Sequence, residues 1–286
     1  MSIITAIFQA ILQAITYIIP ISQSGHATVF HDFAGRADGT VTQLTGAVNI
    51  GIAIGIFAAT YKLVFKLAAE LFNTGKAVVQ KEFSYRNSTN TRKLVIYLLI
   101  SFVPMLLWLI PIGKYGCLYT VLKATAYNNT LLDDGVFFAV LGTLIFVAAR
   151  QLGFERNNRF VSLPAAITVG VCSVFFVPVS GLALIGGVFA ALVLFGVSGK
   201  LALKYGYLMS IPVLLITGIV QLCSADYKSS IAAIVIGIVL SAPVAFLCVR
   251  VLGNVVKKGL LKYISYYDFS IGLIVAVIGA IQLIVR

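Results

Sequence analysis

Apolar residues in this chain come in long blocks, with polar positions gathered between them. Six apolar runs approach the length that a helix needs to cross a bilayer, about 20 residues. They lie at 41–61, 94–112, 135–149, 206–223, 230–250 and 269–285. Two further apolar regions are interrupted. The first, 3–21, stops on the polar cluster "IIPISQSGH", Ile18 to His26. The second, 163–198, is broken by "VPVSG" at 177–181. The cations collect between the runs. The loop 62–93 carries Lys62, Lys66, Lys76, Lys81, Arg86, Arg92 and Lys93 against Glu70 and Glu82. The loop 150–160 carries Arg150, Arg156 and Arg159, and the loop 251–267 carries Lys257, Lys258 and Lys262 with Arg250 at its edge. The positive-inside rule makes these cytoplasmic. The nearly neutral loops 113–134 and 224–229 then face outside. Six spans fit this arrangement only if 3–40 begins and ends outside and 161–205 begins and ends inside. Each interrupted region is therefore expected to be a re-entrant helical hairpin, the two entering from opposite faces.

The pattern predicts an all-α polytopic membrane protein, a single membrane domain over 1–286. It divides into two inverted repeats, 1–150 and 151–286, each with one re-entrant hairpin and three transmembrane helices. Local sequence agrees with the division. "IIPIS" at 18–22 answers "FVPVS" at 176–180, and "SFVPMLL" at 101–107 answers "MSIPVLL" at 209–215. Broken hydrophobic segments at matching positions of two inverted halves point to a binding site near the membrane midplane. Irregular backbone persists at that depth only where it is buried or lines a cavity.

Composition sharpens the class. The 286 residues are 60% hydrophobic and only 10% charged, where soluble domains carry about 25% charged residues. The net charge of +12 would suggest nucleic acid in a soluble protein. Here it sits in short loops with no basic patch alternating with exposed aromatics, so nucleic acid is excluded as a partner. The partner is the lipid bilayer, and the expected location is the plasma membrane, crossed several times. Pairing of two copies into a homodimer is compatible with such a bundle. The four cysteines, Cys117, Cys172, Cys223 and Cys248, show no CxxC spacing, which indicates neither zinc nor redox chemistry. The first basic residue is Arg36, so the N-terminal apolar run lacks the cationic start of a signal peptide.

Candidate chemistry concentrates in the first interrupted region. Pro20 ends a helix. Ser22 or Ser24 caps the next one, whose free N–H groups favour an anion. His26, near that helix start, exchanges a proton near neutral pH. Together these residues suit a phosphate, and equally suit a capped turn whose histidine satisfies buried backbone. Asp32, Asp38, Glu70, Glu82, Asp133, Asp134, Glu155, Asp226 and Asp268 are all expected in loops or at span ends, so intramembrane acids of the kind that mark function are missing. No Walker loop, HExxH or GxSxG occurs. "YISYY" at 263–267 reads as an interfacial aromatic belt.

The residues resemble the undecaprenyl pyrophosphate phosphatase, or bacitracin-resistance, family. That family's first motif runs Glu-Gly-x-x-Glu-aromatic-Leu-Pro-(Val/Ile)-Ser-Ser-(Ser/Thr)-Gly-His. This chain reads "QAITYIIPISQSGH", Gln13 to His26, matching at Pro20, Ile21, Ser22, Ser24, Gly25 and His26. "NIG" at 49–51, "FGVS" at 195–198 and "YGYLMSIP" at 205–212 resemble further family blocks in the right order. The resemblance implies inverted repeats with re-entrant hairpins, and hydrolysis of the diphosphate of a C55 lipid carrier on the outer face. It also implies Mg²⁺ or Ca²⁺ held by the two glutamates. The departures fall on that chemistry. Gln13 and Tyr17 stand at the glutamate positions, and Gln23 stands at the proposed catalytic serine. Counting back from "FGVS", Ala183, Leu184 and Ile185 stand where a second motif would have Ser-Arg-Ser.

Three functions follow from this reading. The preferred one is a catalytically degenerate family member that binds a polyprenyl phosphate or diphosphate and moves its head group across the membrane. Gln13, Tyr17, Ser22, Gln23, Ser24, Gly25, His26 and Asn49 would line one side of its site, and Ser180, Gly181, Gly186 and Gly187 the other; no cofactor is then needed. The second is an active phosphatase using His26 as nucleophile or acid, Ser22 and Ser24 in support, and Mg²⁺ or Ca²⁺. The third is a small transporter or structural protein that keeps only the fold.

Overall fold

The computed structural model describes residues 3–33, 40–124, 131–152, 159–223 and 229–285. Side chains at 30–33, 40–42, 115 and 124 also lie outside the described set. Eleven α-helices are present among these residues. They are α1 Ile3–Ile18, α2 Gln23–Phe33, α3 Thr40–Val79, α4 Asn90–Phe102, α5 Leu118–Ala124, α6 Leu132–Gln151, α7 Leu163–Phe176, α8 Leu184–Leu194, α9 Gly199–Cys223, α10 Ile231–Lys257 and α11 Leu261–Val285. Six helical segments are long and apolar enough to cross a membrane: α3, α4 with the 3₁₀ turn that follows it, α6, α9, α10 and α11. The all-α polytopic fold expected from the hydropathy pattern is therefore what the chain adopts.

The interrupted regions form two helix pairs, α1–α2 and α7–α8. Their helices have 16, 11, 14 and 11 residues. At 1.5 Å per residue none reaches about 25 Å, short of a hydrocarbon core of about 30 Å. The first pair is joined around Pro20 and the second around Pro178, with Gly181 at φ +84° in the second turn. The left-handed backbone there suits a residue without a Cβ.

Small residues set the helix seams. On α1, the alanines Ala6, Ala10 and Ala14 share a buried face with Gln9 and Gln13. A Cβ at Gly51 of α3 would lie 1.9 Å from Ser241 Oγ of α10, so that crossing depends on close backbone approach. Between α6 and α11 the contacts are reciprocal. Gly135 faces Ala276 while Gly272 faces Ala139; Gly142 faces Asp268 and Ser265, and Gly279 faces Leu132. Packing of this kind replaces the hydrophobic drive that is missing between helices in lipid.

Three details depart from the sequence expectation. α3 runs 18 residues past the expected span end at 61 and α4 begins at Asn90, so most of the 62–93 loop is helical. Leu63, Leu67 and Thr74 turn inward there, and Arg92 Nε donates to Glu70 Oε1 at 2.7 Å. α11 begins at Leu261 rather than 269. As a result, Asp268 lies inside a helix and not at its edge. It is fully buried, and neither carboxylate oxygen has a hydrogen-bond partner among the described residues. Thirdly, the expected 94–112 span is broken: α4 stops at Phe102, and Pro104–Leu109 continues as a 3₁₀ turn. Pro104 cannot donate to the helical ladder.

Candidate functional site

The first hairpin turns on Ser22, whose φ of +63° is unusual for a residue with a Cβ. Three hydrogen bonds hold it there. Its Oγ accepts from the Gly25 N–H at 3.2 Å, and its carbonyl accepts from the His26 N–H at 3.2 Å. The third joins that carbonyl to His26 Nδ1 at 2.8 Å. Ser22 is therefore the cap of α2, which settles the choice between Ser22 and Ser24. Ser24 Oγ lies 3.4 Å from Ser22 Oγ.

His26 is tied on both sides. Its Nε2 lies 2.7 Å from the Tyr267 hydroxyl, its ring stacks on Tyr267 at 5.8 Å and 7°, and Phe138 meets it edge-on at 5.3 Å. A carbonyl only accepts, so the neutral ring carries its proton on Nδ1 and Nε2 accepts from the Tyr267 hydroxyl. The histidine thus fastens the first hairpin to α11. It is absent from the lining of the cleft that the hairpins enclose.

That cleft lies between α1, α2, α3, α5, α9 and the second hairpin. Its first-hairpin wall carries Gln13, Tyr17, Gln23, Ser24 and Thr28. A chain of amides crosses it. Gln13 Nε2 donates to Thr45 Oγ1 at 3.4 Å, and Gln23 Nε2 donates both to Gln13 Oε1 at 3.1 Å and to Asn49 Oδ1 at 3.0 Å. Asn49 Nδ2 donates to Gln221 Oε1 at 3.2 Å. The opposite wall is apolar, with Phe176, Val177, Pro178, Ala183 and Leu184. α5 adds Tyr119 and Lys123, and burial pushes the Lys123 ammonium down from the ordinary lysine range. No carboxylate lines the cleft among the described residues.

The glycines and Ser180 expected to line the second wall pack against neighbouring elements instead: Ser180 and Gly186 against the first hairpin, Gly181 against α6 and Gly187 against Phe176 of its own hairpin. Ser180 Oγ lies 3.2 Å from Thr28 Oγ1. A Cβ on Gly25 would come within 2.5 Å of the Phe138 ring and 3.1 Å of the Gly181 nitrogen. Gly181 sits on the Asp134 carbonyl, Gly186 on Pro20 and Gly187 on the Phe176 ring. The structure brings Gln13, Tyr17, Gln23, Ser24 and Asn49 to one cleft. It sets Ser22, Gly25, His26, Ser180, Gly181, Gly186 and Gly187 around that cleft as its supports. Sequence reasoning missed Thr45, Gln221, Lys123 and Tyr267. Tyr267 sat in a stretch that looked interfacial, and Lys123 in a loop without periodicity.

Mg²⁺ and Ca²⁺ take hard oxygen ligands, with carboxylates foremost. The cleft offers amide and hydroxyl oxygens, and those of Gln13 and Asn49 already accept from Gln23. The residues present do not fit such an ion, and among the described residues no three His, Cys, Asp or Glu gather as a metal site.

Known proteins resemble this chain along nearly its whole length. It is 25% identical to the undecaprenyl-diphosphatase of Alkaliphilus metalliredigens over 291 aligned positions, covering 96% of this chain and 98% of that one. It is 23% identical to the undecaprenyl-diphosphatase of Methanosphaera stadtmanae, covering 98% and 99%. For the protein of the same name from Methanococcus vannielii the figures are 26%, 94% and 97%. With six spanning helices, these similarities describe a multi-pass protein of the plasma membrane. The family model of the bacitracin resistance protein BacA matches residues 6–274, and the chain belongs to that family.

Proposed function

We propose that this protein binds the head group of a polyprenyl phosphate or diphosphate in the cleft without hydrolysing it at the rate of an equipped phosphatase. The observation that carries this reading is the cleft lining: among the described residues it holds amides, hydroxyls and one lysine, and no carboxylate. Such a surface donates hydrogen bonds to phosphate oxygens. It has nothing to hold a divalent ion, which as a Lewis acid supplies several kcal/mol in phosphoryl transfer. The second hairpin's cleft face brings no cation either, and a transition-state arginine is worth roughly 10³–10⁵ in rate. Losing both removes more than about 10⁵ of activity.

The same reading extends to two inverted repeats and to a transport role for the bound head group. Gly135, Ala139 and Gly142 of α6 share their spacing with Gly272, Ala276 and Gly279 of α11, and Gly135 meets Ala276 as Gly272 meets Ala139. A pseudo-twofold axis produces such contacts. The four short hairpin helices suit re-entrant pairs, and opposed broken segments around one midplane site are the geometry of alternating access.

The active-phosphatase reading has two observations in its favour. The relatives carry the name undecaprenyl-diphosphatase, and Ser24 keeps a hydroxyl in the cleft. It requires His26 to leave Tyr267 and turn toward that cleft.

Titration of purified protein with polyprenyl diphosphate tests the binding claim. The Gln13→Leu variant should bind at least several-fold more weakly, because it removes one acceptor of the Gln23 amide along with its own amide. Equal affinity in the two proteins would refute a head-group site here.

A further inference from the structure

We propose that Asp268 is a proton-binding site in the seam between α6 and α11, carrying a proton while the seam is closed and releasing it when the seam opens. The ligand is the hydrogen ion. Asp268 lies outside the cleft lining, so this role is independent of the head-group reading.

Asp268 is fully buried, and neither of its carboxylate oxygens has a hydrogen-bond partner among the described residues. An ionised carboxylate without partners is far costlier to bury than a neutral acid, so such a group keeps its proton. Acids inside a membrane bundle commonly serve as ion or proton sites. The packing here selects the proton. A Cβ at Gly142 of α6 would lie 3.1 Å from Asp268 Cβ and 3.2 Å from the Ser265 carbonyl oxygen. So close an approach leaves no room for a metal ion with its shell of oxygen ligands. The buried side chains of this stretch of α6, Phe138, Leu141 and Ile145, are apolar. Charged groups stand further off. On α6, Asp133, Asp134 and Arg150 are more than two helical turns from Gly142, about 12 Å along the axis. On α11, Lys262 is more than one turn before Asp268, with Tyr263, Tyr266 and Tyr267 between them. From α2, His26 reaches Tyr267 at 2.7 Å.

That last contact joins the proton site to the first hairpin. Tyr267 precedes Asp268 on α11, donates to His26 Nε2 and stacks on its ring. Moving α11 far enough from α6 to admit water to Asp268 also draws Tyr267 away from the hairpin. Proton release and loosening of the hairpin are therefore one event. The Asp268 O–H bond breaks, its electron pair stays on the carboxylate, and the proton passes to the entering water. Closing reverses the transfer. The closed seam binds one proton more than the open one, so rising pH favours opening, by up to about tenfold per pH unit.

The test uses wild type, Asp268→Asn and Asp268→Ala as full chains in detergent micelles, with thermal unfolding establishing that each is folded. An aspartate in water is ionised well below neutral pH. Infrared spectra at about pH 7 should nevertheless show a buried carboxylic acid C=O band in wild type, lost in both variants. Amide hydrogen exchange, corrected for the intrinsic effect of pH, reads the opening. In wild type, exchange in α11 and in α2 should rise together between about pH 6 and about pH 9, by up to about tenfold per unit. Both variants should lose most of that rise. His26 titrates in all three proteins, so the difference between them reports Asp268. A wild-type spectrum without the band, a flat wild-type exchange profile, or the same pH response in all three proteins overturns the proton site. A response in α11 without one in α2 overturns the link to the hairpin.

Discussion

The two hairpins share a design and divide the work. Each pairs two short helices around a proline, and each turn carries one residue in left-handed backbone, Ser22 in the first and Gly181 in the second. Their cleft faces differ. The first presents amides and hydroxyls from Gln13 to Thr28, while the second presents Phe176, Val177, Pro178, Ala183 and Leu184. The difference extends to the helix starts, since Ser22 caps α2 and no side chain caps α8. One hairpin offers polar side chains to the cleft. The other contributes shape and a bare helix end. A phosphatase needs ion, nucleophile and counter-charge gathered between the two, and here the second hairpin's face contributes none of them.

The comparison breaks most severely where the hairpins touch. A Cβ at Gly186 would lie 2.6 Å from Pro20 Cβ, a rigid neighbour. Gly186→Val should cost about 1–3 kcal/mol from overpacking and lower the thermal unfolding temperature of the detergent-solubilised protein clearly below wild type. Unchanged stability would mean that the hairpins are not docked as described.

The amide chain is next. Removing the Gln13 amide leaves Gln23 without one acceptor and Thr45 without its donor. Stranding a buried polar group costs about 1–3 kcal/mol. Gln13→Leu should therefore weaken lipid-phosphate binding roughly 10-fold or more, measurable by titration, whereas Val177→Ala on the apolar wall should change it much less. Equal effects would erase the division of labour between the walls.

A third prediction separates support from binding. His26 bonds Tyr267 outside the cleft lining. His26→Ala and Tyr267→Phe should each lower stability by about 1 kcal/mol. A double-mutant cycle should show that the two losses are coupled, with head-group affinity little changed. Strong loss of affinity in His26→Ala alone would place the histidine in the site. The smallest effect concerns metal. Chelation of divalent ions with EDTA should leave lipid-phosphate affinity unaltered, because the cleft residues do not suit such an ion. A large loss on chelation would show that one is held.

Much of the frame was legible in the sequence. Long apolar blocks and the placement of lysines carry the six spans because lipid imposes length and hydrophobicity on any crossing helix. The polar cluster at 18–26 announced the first hairpin for the same reason, since such residues survive in an oily segment only with partners. The second wall was harder to read. Gly181, Gly186 and Gly187 look like room for a ligand in sequence, yet each is filled by a neighbouring ring or backbone. Asp268 looked terminal because the aromatic stretch before it resembles a membrane boundary, but the helix runs back through that stretch to Leu261. Lys123 gave no signal at all. A seven-residue helix is held by Trp108 and the 3₁₀ turn before it, and tertiary tethering of that kind has no local pattern.

The most direct test of binding without catalysis is phosphate release from polyprenyl diphosphate by saturated wild-type protein, with Mg²⁺ or Ca²⁺ present. The undecaprenyl-diphosphatase of Alkaliphilus metalliredigens serves as the comparator. Binding with release at least about 10⁵-fold below the comparator is the predicted result. Release at a rate similar to the comparator, abolished in His26→Ala that still folds, would contradict it.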